Sequence, residues 1–366
     1  MAQNNKRKNS RTLIEKLKLR IANEGPISVS KYMQAATKAY YEQKYIFGKR
    51  GDFITAPEIS QVFGELIGLW AITTWIKLGR PKSFNLVECG PGKGTLLSDA
   101  LRAIVELCPE FMKAASIILV ENSSALRLVQ KKALSEYDLH WQTNLEFTAT
   151  KPVIIIANEF IDALPINQYQ KLGDTWFERL VDYKSNKFLY KLSAEAVSKL
   201  DPLFINAKEG SILETSESIE KIIQQISILC VTQPGVALII DYGYVQKALG
   251  DTLQAIRNHK YHPVLESPGS ADITAHVDFS LITRVANTAG ANVYGPVEQG
   301  VWLKRLGLKT REAQLCYNKD TASISIIKNS IDKLVNPSKM GSLFKAMAIT
   351  TPNLSSLEGF SVKVRK

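Results

Sequence analysis

The acid Glu88 closes an apolar run, Phe84-Asn85-Leu86-Val87-Glu88-Cys89, and Gly90-Pro91-Gly92-Lys93-Gly94-Thr95 follows it at once. A strand, a turn holding three glycines and a helix resuming at Leu96 form a cradle, because backbone without Cβ atoms turns tightly and lets a ligand come close. Glu121 ends the next apolar run, Ile117-Ile118-Leu119-Val120, 27 residues beyond Gly94. A carboxylate there accepts hydrogen bonds from both hydroxyls of a ribose, so the two features together point to a nucleoside. A dinucleotide site spaces its glycines as G-x-G-x-x-G and turns a helix N-terminus toward a pyrophosphate. Here the third glycine comes one residue early, and Glu88 would repel a phosphate. The same carboxylate attracts the amino group and sulfonium of S-adenosylmethionine. The alternative for Glu88 is a strand-end acid bonded to backbone amides.

The elements that must carry this site follow from the spacing of apolar residues. The apolar runs 84–89, 117–121, 153–157 and 236–243 read as buried strands, and helical spacing follows at least two of them. They predict a mainly parallel sheet covered on both faces, an α/β fold of the Rossmann-like kind. Before it, Leu13, Ile14, Leu17 and Ile21 mark a helix running into Gly25-Pro26. Residues 27–45 are a mixed polar and aromatic segment without an assigned element. Val62, Phe63, Leu66, Leu69, Trp70, Thr73 and Ile76 then define a long helix that stops at Gly79 and Pro81. Between Pro165 and Pro234 the pattern changes to alternating, strand-like pieces (176–181 and 187–190) and a polar helix from Glu217 to Leu229. The expected organisation is an N-terminal helical extension with a cofactor-covering loop (1–80), the first part of the sheet domain (81–164), a substrate-side α+β insertion after the fourth strand (165–232), and the second part of the sheet domain (233–366).

Composition narrows the function classes. With 366 residues, 45% hydrophobic and 22% charged, the chain is long enough for a substantial core and unlike a disordered, collagenous or fibrous protein. No apolar run approaches the 18 residues of a membrane-spanning helix. The net charge is +11, but seven basic residues among the first 20 stand against Glu15 alone, which reads as a solvated tail and helix face more than a nucleic-acid surface. The other reading of that basic, acid-poor start is an organelle presequence. Cys89, Cys108, Cys230 and Cys316 are far apart, without C-x-x-C or a nearby His pair, so neither a zinc site nor a disulfide scaffold is expected. A reducing compartment is the default.

The motif Glu88-x-Gly90-Pro91-Gly92-Lys93-Gly94-Thr95-Leu96 resembles the cofactor motif of class I S-adenosylmethionine-dependent methyltransferases. Other segments resemble one branch of them, the MidA-like family, relatives of the mitochondrial complex I assembly factor that is a protein arginine methyltransferase. These segments are 51–60 (Gly-Asp-Phe-Ile-Thr-Ala-Pro-Glu-Ile-Ser) with Phe63-Gly64-Glu65, 157–165 (Ala-Asn-Glu-Phe-Ile-Asp-Ala-Leu-Pro), Asp241-Tyr242-Gly243 and 268–279. The resemblance spans roughly residues 15 to 350. It implies a class I methyltransferase fold, S-adenosyl-L-methionine as cofactor, protein arginine methylation, and an NADH:ubiquinone oxidoreductase subunit as substrate during complex I assembly. It also implies the mitochondrial matrix in a eukaryote and the cytoplasm in a bacterium. A homodimer stays open.

Ligands of an open α/β sheet sit beyond the carboxyl ends of the strands, where Asn158, Glu159, Asp162 and Asp241 are found. Amino-base methyltransferases carry Asn or Asp, two prolines and an aromatic residue after the fourth strand. Asn158-Glu159-Phe160-Ile161 lacks the prolines and offers acid, which suits a cationic acceptor better than a nucleobase. A guanidinium stays protonated, and paired carboxylates hold its fork and aim one nitrogen at the methyl carbon. Glu159 and Asp162 are the first choice for that clamp, with Glu58 as a third member; the alternative for each is a cap or loop acid bonded to amides. His276 is a candidate proton acceptor, or a packed loop histidine bonded to Asp278 or Asp272. Asn158 is assigned to the cofactor with Glu88, Gly90, Gly92, Gly94 and Glu121. Asp52 and Thr55 are expected to fold a loop over it, although capping and turn formation would also account for them. The rival readings are a methyltransferase acting on a small molecule or RNA, and a non-catalytic cofactor-binding assembly chaperone.

Overall fold

The structure, a computed structural model, describes residues 12–42, 55–145, 150–197 and 204–360. Its central sheet contains β1 (Phe84–Cys89), β2 (Ala115–Val120), β3 (Leu139–Gln142), β4 (Val153–Asn158), β5 (Gly235–Tyr244), β6 (Asn292–Glu298) and β7 (Phe344–Thr350). They lie in the order 3-2-1-4-5-7-6. The first five run parallel, and β7 enters antiparallel between β5 and β6. A two-residue strand, Val277–Asp278, pairs with the end of β5. Every residue of β1 and β4 is buried, which is why both read as continuous apolar runs with no alternation.

Helices cover both faces. One face packs Gln61–Lys77, Thr95–Leu107 and the C-terminal helices around Trp302, Leu303 and Leu334 against the sheet. The other is covered by Glu217–Thr232 through Ile219, Ile223 and Ile226, and by Phe279–Thr288 through Phe279 and Ile282. The helix 61–77 departs from its expected stripe: Leu69 and Ile76 are more than a third exposed, while Ile67, Ala71, Thr74 and Trp75 are buried. Its sequence is apolar nearly all round, so spacing alone does not choose the face. Glu65, 5% exposed, joins this helix to two others through Arg102 at 3.0 Å and Arg311 at 2.7 Å. Burial raises the Glu65 pKa, but the two guanidinium groups outweigh it and hold the carboxyl below its ordinary range.

A third hydrophobic cluster forms a cap over the carboxyl edge of the sheet. Thr12 and Glu15 cap the helix Leu13–Glu24 reciprocally, and the chain turns at Gly25 into a second helix, Val29–Tyr41. That helix occupies part of the segment left unassigned above; its stripe of Val29, Tyr32, Met33, Ala36 and Tyr40 has helical spacing obscured by polar neighbours. Both helices pack against Val181 of the insertion and against Leu253, Ala271 and Ile273. The insertion strands Asn167–Leu172, Thr175–Lys184, Lys187–Ala196 and Ile212–Thr215 build an antiparallel sheet that also takes in Ile27–Ser28. The helix from Glu217, grouped with the insertion on sequence, packs on the central sheet instead.

Candidate active site

The chain crosses from one side of the sheet to the other between β1 and β4, which are neighbours. In an open α/β sheet such a switch point leaves a crevice beyond the strand ends. Glu88 and the glycine turn stand on one lip, Asn158 and Glu159 on the other.

Gly90, Gly92 and Gly94 have φ of +63°, +52° and +83°, the left-handed region that a Cβ makes costly. A Cβ on Gly90 would come within 2.8 Å of the Phe160 ring, whereas one on Gly92 would meet nothing within 4 Å. The turn is thus tied to the loop after β4 on one side and leaves open space on the other. Glu88 is 4% exposed, and its Oε2 has no hydrogen-bond partner. Burial pushes its pKa up to about 8, an expensive state for a carboxylate unless a cation joins it. Glu121 lies across the turn: its Oε1 accepts the Ser123 N–H at 2.8 Å and its Oε2 the Gln130 amide at 3.1 Å. Gln130 also donates to the Gly92 carbonyl at 2.8 Å, so one side chain joins acid and turn. With the Asn122 N–H also bonded to it, the Glu121 carboxylate keeps one lone pair for a ribose hydroxyl. These features fit S-adenosylmethionine: an unpartnered buried acid for its amino group, an open glycine turn, and a second acid for its ribose.

The acceptor side is a group of acids held by backbone. Glu159 has φ +48°, and its Oε1 accepts the Ala56 N–H at 3.0 Å and the Asn158 amide at 3.3 Å. Burial lifts its pKa to about 8, with the Asp162 charge adding to the rise and the Ala56 N–H opposing it. Asp162 is 6% exposed with an unpartnered Oδ1, and burial moves it up to about 6. Asp241, wholly buried at the end of β5, accepts the Ile161 and Asp162 N–H groups through Oδ2 and the Tyr242 N–H through Oδ1. That carboxylate determines the shape of the loop presenting Glu159 and Asp162. The Tyr242 hydroxyl donates to Thr274 Oγ1 at 2.5 Å and lies within hydrogen-bonding reach of Asp162.

The structure brings together Glu88, Gly90, Gly92, Gly94 and Glu121 around the turn, and Asn158, Glu159 and Asp162 beyond β4. Asn158 turns its amide to Glu159 and leaves a buried, unpartnered Oδ1. Glu58 is not with the acid pair: it forms an ion pair with Lys93 of the glycine turn at 2.7 Å. Thr55 caps the short helix Ala56–Ile59 without a side-chain hydrogen bond, and Asp52 lies outside the described residues. His276 is hydrogen-bonded to neither expected aspartate. Asp278 caps the helix 279–288 and Asp272 accepts from Tyr41, while the imidazole packs edge-on against Tyr242 at 5.4 Å. Burial lowers its pKa, which favours a neutral, packed ring. Sequence reasoning missed Gln130, Ser123, Tyr41 and Asp272 as parts of this site. Gln130 falls seven residues after the Ser123 cap and could have been placed on the turn-facing side of its helix; Asp272 lies in the 268–279 motif segment but was considered only as a partner of His276, and Tyr41 offered no local signal.

A family described as "putative S-adenosyl-L-methionine-dependent methyltransferase" matches residues 66–297. The chain belongs to this family. The enzyme is 35% identical to the Drosophila melanogaster protein arginine methyltransferase NDUFAF7 homolog, mitochondrial, over 92% of its own length and 84% of the relative's. It is 34% identical to the Mus musculus protein arginine methyltransferase NDUFAF7, mitochondrial, with 92% and 84% covered. Its fold matches a Burkholderia thailandensis protein solved with S-adenosyl-homocysteine, with a TM-score of 0.80, 24% identity, and 95% and 93% of the two chains covered. It is a class I, S-adenosylmethionine-dependent methyltransferase with a Rossmann-like sheet.

Proposed function

We propose that the enzyme methylates the guanidinium of a protein arginine, with an NADH:ubiquinone oxidoreductase subunit of the mitochondrial matrix as the substrate. The observation that carries this reading is the pair Glu159 and Asp162 after β4, two buried carboxyls with raised pKa, one of them with an unpartnered oxygen. The names of the relatives, mitochondrial protein arginine methyltransferases, support it. Two carboxyls this close shed both protons readily only when a cation lies between them.

Bound S-adenosylmethionine supplies an electrophilic methyl carbon on a sulfonium. Glu88 would hold its amino group and Glu121 its ribose. Beyond β4, Glu159 and Asp162 take two edges of the guanidinium and draw positive charge toward themselves. With positive charge drawn to the gripped N–H groups, one terminal nitrogen would recover lone-pair character perpendicular to the guanidinium plane and act as the nucleophile. Asp162, whose Oδ1 is buried and unpartnered, would take the proton that this nitrogen gives up when the methyl is transferred and the electron pair of the broken S–C bond stays on sulfur. Glu58 and His276 have no part in this arrangement.

The test is radiolabelled methyl transfer to arginine peptides, followed by mass spectrometry of complex I subunits from cells with and without the protein. Arginine methylation on one subunit, lost with the protein, is the expected result. Label appearing only on RNA or a small molecule would overturn the reading.

A further inference from the structure

Tyr41, the last residue of the helix Val29–Tyr41, touches both halves of the site. Its carbonyl accepts the Ser123 hydroxyl at 2.7 Å, and its own hydroxyl donates to the two Asp272 oxygens at 3.1 and 3.2 Å. Each contact leads directly to a functional acid. Ser123 donates its N–H to Glu121, the ribose acid. Asp272 begins the strand Asp272–Thr274; the following Ala275 N–H bonds the Asp162 carbonyl at 3.0 Å, and Thr274 receives the Tyr242 hydroxyl. A continuous chain of hydrogen bonds and short backbone segments therefore runs from Glu121 through Tyr41 to Asp162. Burial, reinforced by the Asp272 and Asp162 charges, raises the Tyr41 pKa, so the hydroxyl remains a donor. Asp272 also acts on the acceptor pair, its charge being one of those that raise Glu159.

We infer that Tyr41 is a positioning residue that couples cofactor binding to acceptor recognition, holding Asp272 as an outer carboxylate beside Glu159 and Asp162. The coupling stands on geometry alone; the outer-carboxylate role rests on the arginine reading. By hydrogen-bonding both oxygens of Asp272, the hydroxyl fixes the position of that carboxylate relative to the two inner acids. Cofactor ordering the Glu121–Ser123 turn then orders the Tyr41 carbonyl and, through the same residue, the acceptor loop.

Tyr41→Phe in the full chain removes the hydroxyl and keeps the ring and carbonyl. Hydrogen exchange with and without S-adenosylhomocysteine reads the coupling. In the parent protein the ligand slows exchange at both 121–126 and 270–276; in the variant it still protects 121–126 but loses its effect on 270–276. Equal protection of both segments in the variant overturns the coupling, as does loss of ligand affinity by calorimetry, which would make Tyr41 a general support of the fold. With an arginine peptide at saturating cofactor, KM rises about tenfold and kcat stays within about threefold, the size of one lost hydrogen bond to a charged group. Asp272→Asn reaches the same link from its other end and gives the same split. An unchanged KM in both variants overturns the outer-carboxylate role. Failure of the parent enzyme to methylate any arginine peptide refutes the arginine reading and that role together, and the exchange experiment still decides the coupling.

Discussion

Under the proposed clamp, acceptor binding depends on pH through the raised carboxyl of Glu159. Burial raises Glu159 to about 8, and it also raises Asp162, which lies beside the equally buried Asp241. At neutral pH Glu159 therefore keeps its proton, and a guanidinium gripped by both acids must expel it. Below the Glu159 pKa that expulsion costs about 1.4 kcal/mol for each pH unit, so KM for an arginine peptide should rise roughly a hundredfold from pH 8 to pH 6. Above pH 8 it levels off, because the proton is already gone. Glu159→Gln removes the titrating group: its KM should vary little over the same range, and its kcat should fall by about 10² to 10³ through loss of a preorganised charge. Asp162→Asn should lower kcat to a similar degree and also remove the proton acceptor. The assay is steady-state methyl transfer to a peptide at saturating cofactor, which keeps the separate titration of Glu88 from entering the profile. A KM independent of pH in the parent enzyme, with near-normal kcat in both amide variants, would refute the clamp and leave these acids as supports of their loop.

Other outcomes follow from the same physics. Folding lifts the Glu88 pKa from 4.5 to about 8, so between those values the native state binds more protons than the unfolded chain and stability falls as pH rises. Glu88→Gln should therefore raise the melting temperature of the cofactor-free protein at pH 8, while calorimetry finds S-adenosylhomocysteine binding weakened roughly ten- to a hundredfold. A valine at Gly92 would put a β-branched residue at φ +52° and fill the open side of the turn, so Gly92→Val should abolish cofactor binding in the same measurement. Glu65→Ala leaves Arg102 and Arg311 without their shared acid and should lower stability by about 1.5 to 3 kcal/mol in denaturant titrations, with cofactor affinity unchanged.

Where a function sits within one run of residues, the sequence alone was enough. The strand Phe84–Cys89, the glycine turn and the acid Glu121 are joined by short chain segments, so spacing and residue type sufficed to predict a parallel sheet with the turn and acid on neighbouring strands. The Asn158–Asp162 acids were legible for the same reason, since they follow directly on a buried apolar strand. The tertiary structure decided which acids share a space. Glu58 lies in a motif segment beside the cofactor loop, yet its side chain meets Lys93. Asp272 lies 231 residues from Tyr41 and receives its hydroxyl. His276 has the chemistry of a base but packs against Tyr242. Local pattern records periodicity and turn chemistry because these act between residues a few positions apart. Which carboxylate is desolvated, and which neighbour partners it, depends on surfaces that meet only when the cap helices, the insertion sheet and the ends of β4 and β5 are packed together.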